Sequence, residues 1–350
     1  MKIENFEKVL ENEPKYRVKQ AREAVFKKFI SDWQEATFFP LELREKLNKE
    51  CPLEIKADVL VLEEKKQKNI DTPISAYAEI GVSEPSSVKA RITLKDDLQI
   101  ETVLMRHKDG RNTVCVFSQV GCPLGCLFCA TGKMGFKRNL IADEILEQVI
   151  FFERYLKDSG RVTNVTFMGM GEPFLNYENV LKSIRILNNK EGFGIGARSI
   201  SVSTAGIIEG IEKFAKEGLQ LNLAISLHSP NNKLRTELMP ISKKYSLETV
   251  LTTVDEYIKI TKRKVMFEYV LIKDVNDSDQ CAKELAKLMN KKLYFVNLIL
   301  YNATGVFKPS TTKRVEGFKK ILKKEGVNFV QRYRFGDDIK AACGQFAIGV

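Results

Sequence analysis

The chain has 350 residues, 44% of them hydrophobic, and a formal net charge of +11, which suits one large α/β domain with a sizeable core and a small second domain. No apolar run approaches membrane-spanning length, the start Met1-Lys2-Ile3-Glu4-Asn5 lacks a signal-peptide core, and seven cysteines in a chain this long do not make a disulfide scaffold. A cytosolic protein without a membrane partner is expected, its cysteines serving metal or redox chemistry; the excess of Lys and Arg favours nucleic acid, though charge alone also fits a basic surface with no partner.

Residues 3–50 read as a small basic helical unit. Tyr16-Arg17-Val18-Lys19-Gln20 opens a helix with Ala21, Ala24, Val25 and Phe29 at helical spacing, and Pro40 starts another before Leu41-Glu42-Leu43-Arg44. From 51 to 105 the helical pattern fades into a β-rich linking region. Ser87-Val88-Lys89-Ala90-Arg91-Ile92-Thr93-Leu94 alternates as a strand does, and Ile55-Lys56-Ala57-Asp58-Val59 does so more briefly. The polar 64–73 stretch reads as a mobile loop or an insertion. From 106 onward the rhythm is strand then helix. Strands are expected over 113–117, 165–169, 199–203, 221–227, 265–272, 294–300 and 329–333, and helices over 142–156, 177–187, 208–217, 247–261, 279–290 and 312–325. Such alternation implies a parallel sheet.

Behind the first of those strands comes Cys122-Pro123-Leu124-Gly125-Cys126-Leu127-Phe128-Cys129. Thiolates bind the iron corners of a cube of four irons and four sulfides, and three of them leave one iron open to a ligand. Gly121 and Gly125 let the backbone fold round a bulky inorganic core. A structural zinc site with Cys115 or His107 as fourth ligand competes, but the usual second Cys-x-x-Cys pair is missing. Inert burial suits single cysteines better than three in one loop. Gly169-Met170-Gly171-Glu172-Pro173 follows the next strand. There the glycines let backbone approach a ligand and Glu172 can accept from an ammonium group; a tight strand-to-helix turn is the plain alternative.

Cys-x-x-x-Cys-x-x-Cys is the signature of radical S-adenosylmethionine enzymes. The text around it, from Arg111-Asn112-Thr113-Val114-Cys115 through Ala130-Thr131-Gly132 to Arg138-Asn139-Leu140, resembles the RlmN/Cfr family of ribosomal RNA adenine methyltransferases. The likeness covers nearly the whole chain and includes Ala341-Ala342-Cys343-Gly344-Gln345. It implies a partial (β/α)6 barrel, with chemistry at the C-terminal strand ends. An RNA-contacting helical domain (1–50) and a β linker (51–105) would precede the core (106–350), which ends in a catalytic tail. It implies a [4Fe-4S] cluster on Cys122, Cys126 and Cys129, and S-adenosylmethionine, two per turnover, at Gly171, Glu172, Ser203, Ser226, Leu227, His228 and Asn302. Taken singly, Ser203, His228 and Asn302 read as capping, loop or structural residues.

The resemblance also assigns Cys343 as methyl carrier, Cys115 as its redox partner and Glu101 as proton acceptor. By spacing alone Cys343 is a free tail cysteine and Glu101 a strand residue that can face solvent. Cys51 and Cys281 match nothing and read as structural. The C2 and C8 carbons of adenine are not nucleophiles and cannot attack the methyl of a sulfonium directly. In the implied route, one S-adenosylmethionine methylates Cys343. A second, cleaved by an electron from the cluster, yields a radical that takes hydrogen from that methyl, whose carbon then adds to the ring. Cys115, as thiolate, attacks the sulfur of Cys343, releases the product and leaves a transient disulfide. The expected substrate is 23S rRNA at the peptidyl transferase centre, with tRNA left open as a second. A flavodoxin or ferredoxin is the expected electron donor, and the protein is expected to be a monomer. Pro173 in Gly171-Glu172-Pro173-Phe174-Leu175-Asn176 resembles the C2-methylating branch, whereas Arg334-Phe335-Gly336 lies nearer the C8-methylating resistance branch. C2 is expected. A zinc-containing RNA-binding protein is the alternative of another class.

Overall fold

The structure, a computed structural model, describes residues 3–60 and 86–332. The polar stretch 64–73, Tyr333 at the end of the last expected strand, Arg334-Phe335-Gly336 and the Cys343 tail lie outside them. Two compact units alternate along the chain: Met1–Phe117 with Asn139–Val165 and Glu178–Ile200, and Ser118–Arg138 with Thr166–Tyr177 and Ser201–Val350.

In the first unit, helix Lys15–Phe26 buries Ala21, Ala24, Val25 and Phe26, one face of a 3.6-residue period. Phe29, expected on the same helix, comes after its end and takes φ +53°. Trp33 is fully buried with its ring 5.9 Å from that of Phe6, and its Nε1–H donates to the Cys51 carbonyl at 2.8 Å. Arg154, on helix Ala142–Leu156, donates to the carbonyls of Phe29 (3.1 Å) and Leu53 (3.0 Å) and so ties the helical segments to the β region. Strands β1 (Ala57–Leu60), β2 (Ser87–Thr93), β3 (Gln99–Arg106) and β4 (Asn112–Cys115) pair antiparallel in that order.

In the second unit, β5 (Gln119–Gly121) and β6 (Phe136–Asn139) form a two-stranded ribbon. The last residues of β7 (Asn164–Phe167) enter this unit. Then β8 (Ile200–Thr204), β9 (Asn222–Ser226), β10 (Val265–Leu271), β11 (Tyr294–Leu300) and β12 (Phe329–Gln331) pair parallel, each with the next. β9, β10 and β11 are apolar and mostly buried, as parallel strands covered on both faces must be. Ser246, Ser278 and Thr311 cap helices Leu247–Thr261, Asp279–Met289 and Thr312–Lys324 by accepting a backbone N–H of the first turn. From 106 onward, among the described residues, the expected elements recur with their ends displaced by two residues at most. The β5–β6 ribbon and the short helices Ala130–Met134 and Asn232–Leu238 were not expected. Each is too short to show a hydrophobic period, and the last is started by the Asn231 side chain accepting Leu234 N–H at 3.0 Å.

Candidate active site

The cysteine loop leaves β5 and returns through β6. Gly121 takes φ +78° where it begins, and a Cβ there would stand 1.9 Å from the Gly135 carbonyl oxygen. That oxygen accepts Cys122 N–H at 3.0 Å, so only glycine fits. Within the loop Cys129 N–H donates to the Cys126 carbonyl (3.2 Å), and Leu127 N–H donates to the Leu238 carbonyl (3.0 Å). All three thiols are half-buried and line one cavity. Burial pushes the Cys122 thiol up to about 12 and raises Cys126 too, so a metal that binds them displaces protons.

The cavity encloses about 970 Å³, counting the space open at its mouth, near the top of the ~300–1,000 Å³ range of small-molecule sites. Residues at or beyond the C-terminal ends of β7 to β11 make much of its wall. After β7, Gly171 (φ +104°) passes so close to Gln119 that a Cβ would lie 2.7 Å from its side chain. Gln119 Oε1 accepts Glu172 N–H at 2.8 Å. Glu172 is buried; its carboxylate accepts Phe174 N–H at 3.0 Å and Ala205 N–H at 2.7 Å. Burial nevertheless pushes this carboxyl up to about 7, those hydrogen bonds opposing the shift. On β8, Ser203 Oγ–H donates to Glu268 Oε2 at 2.6 Å, and the other oxygen of Glu268, a β10 residue, faces Arg332 at 3.8 Å. Beyond β9, His228 adopts φ +54° and stands edge-on to Phe128 of the cysteine loop, 4.7 Å between ring centres. Its Nδ1 accepts Val270 N–H at 3.1 Å. Burial pulls the imidazole down to about 3, so the ring is neutral and the Val270 contact assigns its proton to Nε2.

The Radical SAM superfamily profile matches residues 116–286. A relative from Dictyoglomus thermophilum, named "Probable dual-specificity RNA methyltransferase RlmN", is 43% identical over 336 residues, covering 95% of this chain and 90% of its own. The "Ribosomal RNA large subunit methyltransferase N" of Nitrosopumilus maritimus is 47% identical over 267 residues, 74% of this chain and 76% of its own. The crystal structure of a radical SAM methyltransferase from Sphaerobacter thermophilus superposes with a TM-score of 0.87 at 38% identity, covering 99% of this chain and 97% of that one. The chain belongs to the RlmN/Cfr family of radical SAM methyltransferases. Its fold is the radical SAM α/β partial barrel, with helices and an antiparallel β region ahead of it.

Membership of the radical SAM superfamily brings a [4Fe-4S] cluster and S-adenosylmethionine, and the residues fit both. Soft thiolate donors suit iron–sulfur. Among the described residues no group of three or more His, Cys, Asp or Glu closes round a single ion; the three thiols stand round a cavity instead, as a cube requires. Of the alternative zinc ligands, Cys115 is buried on β4. His107 Nε2 lies 3.0 Å from Thr113 Oγ1.

The cavity gathers Cys122, Cys126, Cys129, Gly171, Glu172, Ser203, Ser226 and His228. Leu227 and Asn302 are buried beside that lining rather than in it. The N–H groups of Leu227 and His228 donate to the Glu268 carbonyl at 3.0 and 3.1 Å. Cys115 is buried on β4, and its carbonyl accepts Thr102 Oγ–H at 3.0 Å. Glu101 does not face solvent: it is 1% exposed on β3, and Oε1 accepts Lys89 Nζ at 3.0 Å. Its strand is buried along nearly its whole length, so alternation does not turn it outward. Glu268 and Arg235 escaped the sequence reading. A carboxylate inside the apolar run Val265–Leu271 is a visible signal for the first. Arg235, in Leu234-Arg235-Thr236-Glu237-Leu238, looks like any exposed helical arginine.

Proposed function

We propose that this protein methylates C2 of an adenine in 23S rRNA at the peptidyl transferase centre, with tRNA as a second substrate. The observation that carries this reading is the shared cavity, where three thiols meet a buried carboxylate, a hydroxyl and a neutral imidazole. In this reading Cys122, Cys126 and Cys129 hold the cluster, and Gly171, Glu172, Ser203, Ser226, Leu227, His228 and Asn302 hold S-adenosylmethionine. Cluster and cofactor together supply the radical chemistry that an unreactive aromatic carbon needs, with an external one-electron donor such as flavodoxin or ferredoxin. Cys343 carries the methyl group, Cys115 attacks the Cys343 sulfur as thiolate to release product, and Glu101 takes the proton. Two cofactor molecules are used per turnover, one of them to methylate Cys343. The helical segment 1–50 contacts RNA.

Pro173 supports C2 over C8, and the names of the relatives support ribosomal RNA and a second RNA class. Residues 334–336 favour C8, so the test must separate the two. Hypomethylated 23S rRNA and tRNA are incubated anaerobically with reconstituted protein, S-adenosylmethionine and reductant, then digested to nucleosides. Chromatography with mass spectrometry should find 2-methyladenosine. Only 8-methyladenosine would move the protein to the other branch, and no methyladenosine would refute the reading.

A further inference from the structure

Arg235 is fully buried, on helix Asn232–Leu238 of the second unit. Its guanidinium donates Nε–H to the Leu227 carbonyl (3.3 Å), Nη1–H to Ser242 Oγ (2.9 Å) and Nη2–H to the carbonyls of Ala205 (2.7 Å) and Ser226 (3.2 Å). All four acceptors are neutral. Among the described residues no carboxylate stands within ion-pair distance of it. A buried cation without an anion is costly, and hydrogen bonds to neutral groups only partly offset its desolvation. Burial pulls the Arg235 guanidinium down to about 10. Leu238, one turn further on, accepts Leu127 N–H at 3.0 Å, and the core that contains Leu238 and Met239 packs against Cys126. A cube held by three thiolates is anionic, and reduction adds a further negative charge.

We infer that Arg235 is the resident counter-cation of the three-cysteine site, and that its fixed charge holds the one-electron potential of the bound cluster above the value a neutral side chain would give. It is a positioning residue that touches neither substrate nor cofactor. The same guanidinium joins the ends of β8 and β9, Ala205 and Ser226, so one side chain sets both the local charge and the strand ends that line the cavity. A merely structural arginine would act through those hydrogen bonds alone. This inference rests on the cluster assignment made above.

The test compares wild type, Arg235→Lys, Arg235→Gln and Ser242→Ala, each reconstituted anaerobically with iron and sulfide. Bound iron and labile sulfide are assayed, and dithionite titrations are followed by electron paramagnetic resonance of the reduced cluster. Arg235→Gln should shift the one-electron equilibrium at least tenfold toward the oxidised form, a potential lower by 59 mV. Arg235→Lys, which keeps the charge, and Ser242→Ala, which removes one hydrogen bond, should each stay within about threefold of wild type. A loaded Arg235→Gln at the wild-type potential overturns the counter-cation, as does a loaded Arg235→Lys displaced as far as the Gln variant. If Arg235→Gln takes up no cluster, the Lys variant decides: loading near the wild-type potential supports the role of charge, and failure to load overturns it. Wild-type protein without iron and sulfide overturns the cluster assignment itself, a result distinct from an unmoved potential.

Discussion

Gly121→Ala perturbs the cysteine loop at the one point where geometry leaves no room. At φ +78° a residue with a Cβ costs about 1–2 kcal/mol. That Cβ would begin 1.9 Å from the Gly135 carbonyl oxygen, so the carbonyl must withdraw by more than an ångström. The Gly135 oxygen is backbone and cannot rotate aside, and its movement breaks the bond from Cys122 N–H, roughly 0.5–1.5 kcal/mol more. Together the loss is about 1.5–3.5 kcal/mol, centred on the start of the cysteine loop. Gly125→Ala is the matched control. It has φ +63° but no atom within 4 Å of the added methyl, so only the conformational cost of about 1–2 kcal/mol remains. Urea unfolding followed by circular dichroism, with iron uptake on anaerobic reconstitution, separates the two. Gly121→Ala should unfold at a urea concentration lower by about 1 M and bind little iron, while Gly125→Ala should load normally with a smaller shift. Equal damage from both variants, or full iron and an unmoved midpoint in Gly121→Ala, would refute the steric account.

Replacing Cys122, Cys126 or Cys129 by Ala should each abolish bound iron; a single variant that keeps its full iron load would remove that residue from the ligand set. His228 is depressed from 6.5 to about 3 by burial, so the unfolded chain takes a proton that the folded one refuses: stability should be present above about pH 6.5 and be lost as pH falls toward 3. Nitrogen NMR of labelled histidine should show a neutral Nε2–H ring at pH 6, and an imidazolium there would contradict the assignment. The +11 charge should make affinity for an rRNA fragment fall steeply with salt, and a flat response between low and moderate salt would argue against an electrostatic RNA face. Cys115→Ala should accumulate a nuclease-sensitive covalent RNA adduct on denaturing gels while Cys343→Ala forms none; metal loss without adduct in Cys115→Ala would sink the two-cysteine mechanism.

Local patterns were the legible part of this chain. Alternating strands and helices announced the α/β fold because each element is long enough to show its period, and Cys122, Cys126 and Cys129 announced the site because ligand spacing is itself local. Pairings between distant segments carry no such mark. Nothing near Ser203 says that its proton goes to Glu268, and nothing near His228 says that Val270 N–H points at its ring. Glu101 shows the limit from the other side: alternation let it face solvent, whereas β3 lies between β2 and β4 and buries it beside Lys89. The charge of Arg235 was in plain view, but its burial depends on carbonyls from Ala205, Ser226 and Leu227, up to thirty residues away.

The wall of the cavity has its hydrogen-bond polarity set before any ligand arrives. Ser203 has given its proton to Glu268, so it turns lone pairs toward the cavity and acts as an acceptor. His228 has given its Nδ1 lone pair to Val270, so its remaining polar group is the Nε2–H donor. Glu172 is anchored by two backbone N–H groups and still has acceptor capacity. Two kinds of acceptor and one neutral donor complement a zwitterion that carries an ammonium, a carboxylate and sugar hydroxyls. The backbone at His228 is held as firmly as the ring. Its left-handed conformation costs of order 1–3 kcal/mol in a residue with a side chain, and Asn276 opposes relaxation by donating Nδ2–H to the His228 carbonyl at 2.8 Å and to the Val270 carbonyl at 2.6 Å. Strain held this way points the imidazole without help from the ligand, so binding spends little on ordering the site.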